Sequence, residues 1–344
     1  MEWGILLAGG SGTRFWPLSS PTRPKQLLPL AGERSSAEEA VDRLAGFIPP
    51  ERIVVVTGAA LAGPLQASLP IPAANYLIEP RAASTGPALV WATLAIAARD
   101  PDAAVLSMHA DWHVRDPGAF VATAATALAA AARHARLVTV GIVPSRPDTG
   151  FGYIVPGASL DTAARAVDRF VEKPDAARAL DLMADGALWN SGLFAWRAAD
   201  LRREIERHTP EIAPHLAHLD RGDVPAFFEG VRSVSIDVGV FERSDAVAVV
   251  PGDFPWDDIG TWEALARVRP RDAKGNVTIG PVTLVDSADC IVWNDGPPIV
   301  VSGVRDLVIV HANRRTLVLD RSRAPHLKQT LDALPEAVRD LEPM

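Results

Sequence analysis

The 344-residue chain lacks several features that would narrow its class at once. It has a single cysteine, Cys290, which excludes an internal disulfide and is consistent with a reducing compartment. No apolar run reaches the eighteen or so residues of a membrane-spanning helix, and the first residues lack the charged-then-apolar form of a signal peptide. We therefore expect a cytoplasmic protein with no membrane partner. Cys290 lies in an apolar run, which predicts packing in a core.

Basic residues are scarce and dispersed. Lys and Arg number 34 against 42 Asp and Glu, which gives a net charge of −8. Without a basic block, nucleic acid is not an expected partner. The sequence also shows no Ser–His–Asp or Cys–His arrangement that would indicate nucleophilic catalysis. Its length allows one large domain plus a smaller one, or two domains of ordinary size.

Apolar β-rich runs alternate with Ala- and Leu-rich helical runs up to about residue 145. The predicted strands are Trp3–Leu7, Arg52–Val56, Tyr76–Ile78, Ala104–Met108 and Leu137–Ile142. The predicted helices are Ala37–Leu44, Gly58–Ser68, Gly86–Arg99 and Pro117–Ala135. Such alternation predicts βαβ units and a parallel sheet, with ligands beyond the carboxyl ends of the strands.

The most informative run follows the first strand. It reads Ala8-Gly9-Gly10-Ser11-Gly12-Thr13-Arg14-Phe15-Trp16-Pro17-Leu18 and continues to Arg23-Pro24-Lys25-Gln26-Leu27. Clustered glycines let backbone amides form a concave row that binds anions, and Arg14 and Lys25 suit phosphate oxygens. The run is neither a Walker loop nor a dinucleotide fingerprint. The alternative interpretation is an ordinary strand-to-helix turn with a solvated Arg and Lys.

Two later stretches place carboxylates at strand ends. Asp111 follows a buried strand, where a magnesium ligand that bridges phosphates is expected. His109, Asp111 and His113 would share one face if the strand continued, so a transition-metal triad is an alternative. Asp257 and Asp258 precede Gly260 and a helix, which suits a second magnesium ligand, with helix capping as the alternative.

Three further stretches are candidates for binding a sugar phosphate or a nucleotide. Asp148–Ile154 is glycine-spaced, so a ligand can approach its backbone closely. Glu172 and Lys173 precede Pro174; neighbours on a strand point to opposite faces, so they can share a ligand only if a turn intervenes. The loop 79–88 leads into a helix that Ser84 or Thr85 could cap.

Taken together and in this order, these motifs resemble those of the sugar-1-phosphate nucleotidyltransferases over essentially residues 3–334. The resemblance implies an α/β, Rossmann-like nucleotidyltransferase domain with a mixed, mainly parallel sheet over residues 1–270. A small β-rich domain would occupy residues 271–344. It also implies GTP and mannose 1-phosphate as substrates, GDP-mannose and pyrophosphate as products, Mg²⁺ as cofactor, and a homodimer as the assembly.

The same resemblance implies roles for individual residues. It assigns catalysis to Arg14, Lys25, Asp111, Lys173 and Asp258, with Asp111 and Asp258 as the metal ligands. It assigns nucleotide binding to Leu7, Ala8, Gly9, Gly10, Ser11, Gly12, Thr13, Arg14, Lys25, Glu79, Ser84 and Thr85. It assigns sugar-phosphate binding to Gly152, Tyr153, Glu172, Lys173, Asn190 and Gly192.

The sequence departs from the family pattern near the expected base-binding loop. Ala83 and Ser84 stand where the family usually has Arg-Asn, and Arg81 is a candidate to reach the same space. A nucleotidyltransferase that uses another base or hexose is therefore an alternative. A non-catalytic sugar-nucleotide sensor is a second alternative.

Beyond Lys274 the chain is dominated by β-branched residues. The predicted strands there are Ile291–Trp293, Ile299–Val301, Leu307–Val310 and Thr316–Leu319. Short strands at regular spacing indicate a small β-domain or a stack of solenoid rungs, and the lack of a hexapeptide repeat argues against a full β-helix. A closing helix is predicted over 325–334, and the region is expected to pack or to join subunits.

Overall fold

The computed structural model describes residues 1–10, 13–20 and 23–339, and contacts divide the chain into two compact units. Unit 1 comprises Met1–Gly9, Ala40–Ala110 and Val114–Trp256. Unit 2 comprises Gly10–Glu39, Asp111–His113 and the chain from Asp257 onward. The sequence predicts a boundary at residue 270, whereas packing also assigns the segments 10–39, 111–113 and 257–270 to the C-terminal unit. No helix in the described ranges has the length and apolarity to cross a membrane.

The strands of the described chain are numbered in chain order. They are β1 (Glu2–Leu7), β2 (Ile53–Gly58), β3 (Tyr76–Glu79), β4 (Ala104–His109), β5 (His113–Val114), β6 (Leu137–Ile142), β7 (Tyr153–Ser159), β8 (Arg165–Val171), β9 (Leu188–Arg197), β10 (Val247–Gly252), β11 (Trp256–Asp257), β12 (Val277–Ile279), β13 (Val282–Val285), β14 (Ile291–Asn294), β15 (Ile299–Ser302), β16 (Leu307–Ala312) and β17 (Arg315–Asp320).

The helices are numbered in the same way. They are α1 (Ser36–Arg43), α2 (Ala59–Ser68), α3 (Thr85–Ala97), α4 (Pro117–His134), α5 (Ala176–Ala184), α6 (Ala198–His208), α7 (Leu216–Asp220), α8 (Val224–Gly230), α9 (Trp262–Val268), α10 (Leu327–Asp332) and α11 (Glu336–Arg339). Short 3-10 turns occur at Thr13–Phe15, Lys25–Leu27, Pro50–Arg52, Ala73–Asn75, Ala213–His215 and Arg321–His326.

Unit 1 is built on a nine-stranded sheet of order β3-β2-β1-β4-β9-β6-β10-β8-β7. Parallel ladders join β3 to β2, β2 to β1, β1 to β4, and β6 to β10. Strands β8 and β9 run against the others, which makes the sheet mixed. The predicted α/β class with a mixed, mainly parallel sheet is therefore confirmed. The strands and helices predicted up to residue 145 are all present.

Local sequence explains where several helices begin. The Asp116 carboxylate accepts from the backbone N–H of Ala119 at 2.9 Å, and Pro117 takes the first helical position of α4. Asp175 caps α5 in the same way, through Arg178 at 2.8 Å. Helix α3 differs: Ser84 precedes it but makes no side-chain cap, so the predicted capping by Ser84 or Thr85 is wrong.

The β-rich part of unit 2 is a short solenoid. Strands β12, β14 and β16 stack in parallel on one side, β13 and β15 stack in parallel on another, and β17 closes the stack antiparallel to β16. The solenoid alternative is therefore the one realised. The register pairs Val277 with Ile291 and Ile291 with Val308, so rungs of unequal length stack without any hexapeptide repeat. Cys290 is fully buried, as predicted.

The segment after the glycine run shares the solenoid's core. Phe15, Trp16 and Leu18 are buried in one apolar cluster with Trp293 and Val310. The ring of Phe15 lies 5.0 Å from that of Trp262 in an edge-to-face arrangement. The solenoid thus supports the segment that carries the predicted phosphate-binding cations.

A tight turn at the tip of the β16–β17 hairpin adds polar contacts to this core. Asn313 and Arg314 both have left-handed backbone conformations, with φ of 49° and 61°. The Asn313 amide donates to the carbonyls of Pro17, at 2.7 Å, and Leu18, at 3.2 Å. The hairpin tip therefore holds the backbone just after Arg14.

Candidate active site

The glycine-rich run begins where β1 ends. The N–H of Ala8 donates to the Val56 carbonyl at 2.9 Å, which continues the strand pairing past Leu7. Gly10 has a φ of 102°, a conformation that favours glycine, and the chain turns there. The predicted contributions of Ser11, Gly12 and the Thr13 side chain lie outside the described residues. The amide of Ala8 is committed to the sheet, so the predicted phosphate-binding row of amides can begin only after it.

Lys25 is the centre of a polar cluster in unit 2. Its side chain is buried, and its ammonium lies 2.9 Å from Asp111 Oδ2. The same ammonium donates to the backbone carbonyl of Asp258. The structure therefore joins a predicted catalytic lysine to both predicted metal ligands, although the three residues are far apart in sequence.

The Asp258 carboxyl belongs to a strained turn. Ile259, which follows it, has a φ of 41°, a rare conformation for a β-branched residue. Asp258 Oδ1 accepts from the N–H of Gly260 at 3.2 Å. Burial raises the pKa of Asp258, the Lys25 charge opposes that shift, and the nearby Asp257 and Asp111 carboxylates add to it. A cation at this cluster would favour the ionised carboxylate.

Gly260 leaves room for two functional groups. A Cβ atom at this position would lie 2.7 Å from Asp258 Oδ2 and 3.2 Å from Arg14 Nη1. Any larger residue would push against the carboxylate and the guanidinium. Arg14 itself is exposed, so its guanidinium is open to a ligand.

Asp257 has a different role from its neighbour. Its carboxylate makes two hydrogen bonds with the Arg267 guanidinium, at 2.8 and 3.2 Å, and accepts from the N–H of Ile259 at 2.9 Å. Thr261, rather than either aspartate, caps α9 through Ala264 at 3.2 Å. The capping alternative for the two aspartates is therefore wrong, and Asp257 braces the turn that holds Asp258.

The chemistry of this cluster fits Mg²⁺. Magnesium prefers hard oxygen ligands and is commonly held by one or two carboxylates together with substrate phosphates. Asp111 and Asp258 supply two carboxylates, and Asp111 is 27% exposed, so a ligand can reach it. In the described residues, no group of three or more His, Cys, Asp and Glu side chains could hold a metal by itself.

The transition-metal triad is not formed. Strand β4 ends at His109, and the chain turns at Ala110 and Asp111 before β5 begins at His113. The i, i+2, i+4 alignment of a continuous strand is therefore lost. Across the described part of the chain, His109, Asp111 and His113 form no metal-ligand group.

Side chains of the predicted base-binding loop of unit 1 bond to the backbone of the segment 231–236. The hydroxyl of Thr85 accepts from the N–H of Ile236 at 2.9 Å. Ser84 is exposed, with a φ of 69°, and Glu79 is half-buried with a pKa raised by burial. Arg81 donates to the Val231 carbonyl at 2.6 Å, so its guanidinium is at least partly committed to the backbone.

Glu172 and Lys173 do share one side, because the chain makes the turn that such sharing requires. Strand β8 ends at Val171, and Lys173 has a left-handed conformation with a φ of 47°. This turn cancels the alternation expected of strand neighbours, so Lys173 Nζ lies 2.8 Å from Glu172 Oε1. The pair can therefore meet one ligand.

Of the other predicted sugar-binding residues, Gly152 lies directly beside Glu172. A Cβ at position 152 would lie 2.6 Å from Glu172 Oε2, so Gly152 makes room for that carboxylate. The N–H of Asn190 donates to the Gly152 carbonyl at 2.8 Å, and Gly192 has a φ of 76°. The side chain of Tyr153 is fully buried and donates to the Asp148 carbonyl at 3.0 Å, which leaves only its backbone for a ligand.

A π-helical turn, Asp237–Phe241, adds polar groups to this cluster that the sequence motifs do not indicate. Asp237 Oδ1 accepts from Asn190 Nδ2 at 2.7 Å. Just after the turn, Glu242 Oε1 accepts from the N–H of Glu172 at 3.0 Å. Burial and the Glu172 charge raise the pKa of Asp237 to about 6. The sequence signal for Asp237 is that it is a single acid within the apolar run Ile236–Phe241.

Comparison with known proteins identifies the family. The nucleotidyl transferase family matches residues 3–275, and a mannose-phosphate isomerase/GMP-like beta-helix domain matches residues 280–334. The chain belongs to the nucleotidyl transferase family. The second match agrees with the solenoid of unit 2.

Several relatives of this nucleotidyltransferase match nearly its whole length. The xanthan biosynthesis protein XanB of Xanthomonas campestris is 37% identical over 97% of this chain and 73% of its own. A mannose-1-phosphate guanylyltransferase of Escherichia coli is 33% identical over 97% of this chain and 74% of its own. A crystal structure described as a mannose-1-phosphate geranyltransferase from Thermus thermophilus aligns with a TM-score of 0.90 and 33% identity, covering 96% and 98% of the two chains. The predicted family and the predicted enzyme class are confirmed.

Proposed function

We propose that this nucleotidyltransferase transfers GMP from GTP to mannose 1-phosphate, forming GDP-mannose and releasing pyrophosphate. The observation that carries the nucleotidyl-transfer chemistry is the buried Lys25 ammonium, bonded to the Asp111 carboxylate and the Asp258 carbonyl. The choice of guanine and mannose is supported by the relative from Escherichia coli that bears that activity in its name.

The reaction needs charge neutralisation more than proton transfer. A phosphate oxygen of the sugar phosphate attacks the α-phosphorus in line, a new P–O bond forms, and the bond to the pyrophosphate leaving group breaks. The nucleophile is already an anion, so no general base is required, in accord with the lack of a catalytic triad. The protein must hold two polyanions against their mutual repulsion.

Each cluster has a role in this scheme. In unit 2, Asp111 and Asp258 would hold Mg²⁺, which when bound supplies positive charge to the phosphate oxygens. Arg14, Lys25 and the amides after Ala8 would bind the triphosphate. In unit 1, Lys173 would bind the sugar phosphate, while Glu172 would accept hydrogen bonds from sugar hydroxyls.

A pyrophosphate-release assay tests the proposal. Four nucleoside triphosphates are crossed with mannose 1-phosphate and glucose 1-phosphate, with and without Mg²⁺. We expect the highest kcat/KM for GTP with mannose 1-phosphate, and no release after chelation. Preference for another pair would overturn the assignment of base or hexose.

The departure at Ala83 and Ser84 makes a different base the main alternative, because Ser84 is exposed in that loop. Binding of GDP-mannose without Mg²⁺-dependent pyrophosphate release from any pair would instead indicate a sugar-nucleotide sensor. Retention of both aspartates and of the Gly-Thr-Arg run favours the enzyme.

A further inference from the structure

The Asn190 side chain has almost no hydrogen-bonding capacity left for a ligand. Its Oδ1 accepts from the Thr139 hydroxyl at 2.8 Å and from the N–H of Gly192 at 3.2 Å. Its Nδ2 donates to Asp237 at 2.7 Å. A carboxamide oxygen has two lone pairs and its nitrogen two hydrogens, so both acceptor sites are used and one N–H remains.

The orientation of the Asn190 amide is fixed because one of its partners can only donate a hydrogen bond and another can only accept one. A backbone N–H such as that of Gly192 can only donate, so it must face the Asn190 oxygen. An ionised carboxylate such as Asp237 can only accept, so it must face the Asn190 nitrogen. With these partners Asn190 cannot accept a hydrogen bond from a sugar hydroxyl, and it can offer a ligand only its one remaining N–H.

Asp237 has the acceptor capacity that Asn190 lacks. A carboxylate offers about four lone-pair positions on two oxygens. The Asn190 bond takes one position on Oδ1, the N–H of Asp237 itself takes another, and the residue as a whole is only partly buried. Glu172 stands on the same side, since its charge acts on Asp237 and its Oε2 fills the space above Gly152.

We propose that Asp237 and Glu172 together accept hydrogen bonds from neighbouring hydroxyls of the hexose, and that Asn190 acts as a positioning residue for Asp237. This inference rests on the proposed function, because it takes the sugar phosphate to bind in this cluster. It makes Asp237 a specificity-determining residue. A sugar that lacks the matching hydroxyl leaves a half-buried carboxylate unpaired, and such a loss is heavily penalised.

The test combines an enzyme variant with modified sugars. Asp237→Asn keeps the size of the side chain and an oxygen to accept from Asn190. We expect the KM for the sugar phosphate to rise by about 10- to 100-fold, as for a hydrogen bond to a charged group, with the KM for the triphosphate unchanged. Monodeoxy sugar phosphates identify the hydroxyl that Asp237 binds. The deoxy sugar that lacks this hydroxyl should bind the wild type more weakly than the full sugar does, and Asp237→Asn should weaken its binding little further.

Two matched variants accompany it. Asp161→Asn alters a carboxylate that is bonded to Arg133 and His134 on unit 1, and it should leave both KM values unchanged. Thr139→Val removes a hydroxyl that orients Asn190, and it should weaken sugar-phosphate binding by less than Asp237→Asn does. Asp237→Glu, which retains the charge but lengthens the side chain, is a second variant: it should also raise the KM for the sugar phosphate, and an unchanged KM would count against the inference.

The design separates this inference from the proposed function. All variants are assayed with whichever sugar phosphate the wild type turns over best, and calorimetric binding of mannose 1-phosphate and glucose 1-phosphate is measured in parallel. An unchanged KM and an unchanged binding constant in Asp237→Asn would overturn the inference. The inference would also be overturned if, for every deoxy sugar, the loss of binding free energy from Asp237→Asn and the loss from the missing hydroxyl simply added. This holds even if GTP and mannose 1-phosphate prove to be the substrates.

Discussion

The molecule contains two lysine–carboxylate pairs of nearly equal length in very different surroundings. Lys25 and Asp111 in unit 2 lie 2.9 Å apart, with side chains 10% and 27% exposed. Lys173 and Glu172 in unit 1 lie 2.8 Å apart, but the lysine is 62% exposed. Because water screens the second pair more strongly than the first, nearly equal distances imply unequal energies. Burial, not bond length, separates a fixed electrostatic element from an adjustable one.

Among substitutions that test this contrast between the two pairs, the largest expected effect is on turnover. Asp111→Asn removes an anionic oxygen ligand while keeping the side-chain shape, so we expect kcat to fall by about 100- to 1,000-fold at saturating Mg²⁺. Asp161→Asn is the matched control, since its carboxylate is bonded to Arg133 and His134 and lies outside the proposed site. We expect that variant to change kcat by less than about threefold. Near wild-type pyrophosphate release by Asp111→Asn would sink the assignment of Asp111 as a metal ligand.

The next effect concerns stability and compares the two lysines directly. Lys25→Met leaves the Asp111 carboxylate and the Asp258 carbonyl without their cation, so we expect unfolding to become easier by about 2 kcal/mol. Lys173→Met should change the free energy of unfolding by no more than about 0.5 kcal/mol, because its ammonium is in water. Urea unfolding of both variants measures the difference. Equal shifts for the two would show that burial does not distinguish the pairs.

The last expected effect is similar in size to that of Lys25→Met and concerns unit 1. The pKa of Asp237 is raised from 3.8 to about 6, so the folded protein binds this proton more tightly than the unfolded chain. The contribution of Asp237 to stability is therefore greatest below about pH 4 and declines as the pH rises to about 6. Asp237→Asn should remove this decline and gain about 1 to 3 kcal/mol at pH 7.

The measurement is the free energy of unfolding from pH 4 to pH 7 for the wild type and Asp237→Asn. Asp258 also has a raised pKa, but it is present in both proteins and cancels in their difference. Two parallel curves would mean that Asp237 titrates normally, and that Glu172 does not act on it.

Most of the fold could be predicted because its signals are local. The strands around the glycine run are short and continuously apolar, and the helices between them have clear starts such as Asp116 and Pro117. The C-terminal solenoid was harder to predict, because its rungs are set by stacking of β-branched residues and not by a repeated motif. Which segments pack with it, among them 10–39, depends on contacts across the whole chain.

The site divides in the same way. Asp111, Asp258 and Lys25 could be named because each lies in a recognisable run. Asp237 could not, because its partner Asn190 is 47 positions away and its own run looks like apolar packing. The shared side of Glu172 and Lys173 depends on one left-handed residue, which strand alternation does not predict. Backbone geometry and long-range polar partners account for what the sequence left open.

The hairpin tip at Asn313 has a consequence for anyone who recombines this enzyme with a relative. A crossover between the two matched domains, near residue 275, would seat Phe15, Trp16 and Leu18 against a foreign solenoid. It would also replace the amide that holds the carbonyls of Pro17 and Leu18. A chimera that keeps unit 2 intact must exchange the segment 10–39 together with the C-terminal part. The unit to be exchanged is therefore discontinuous in sequence.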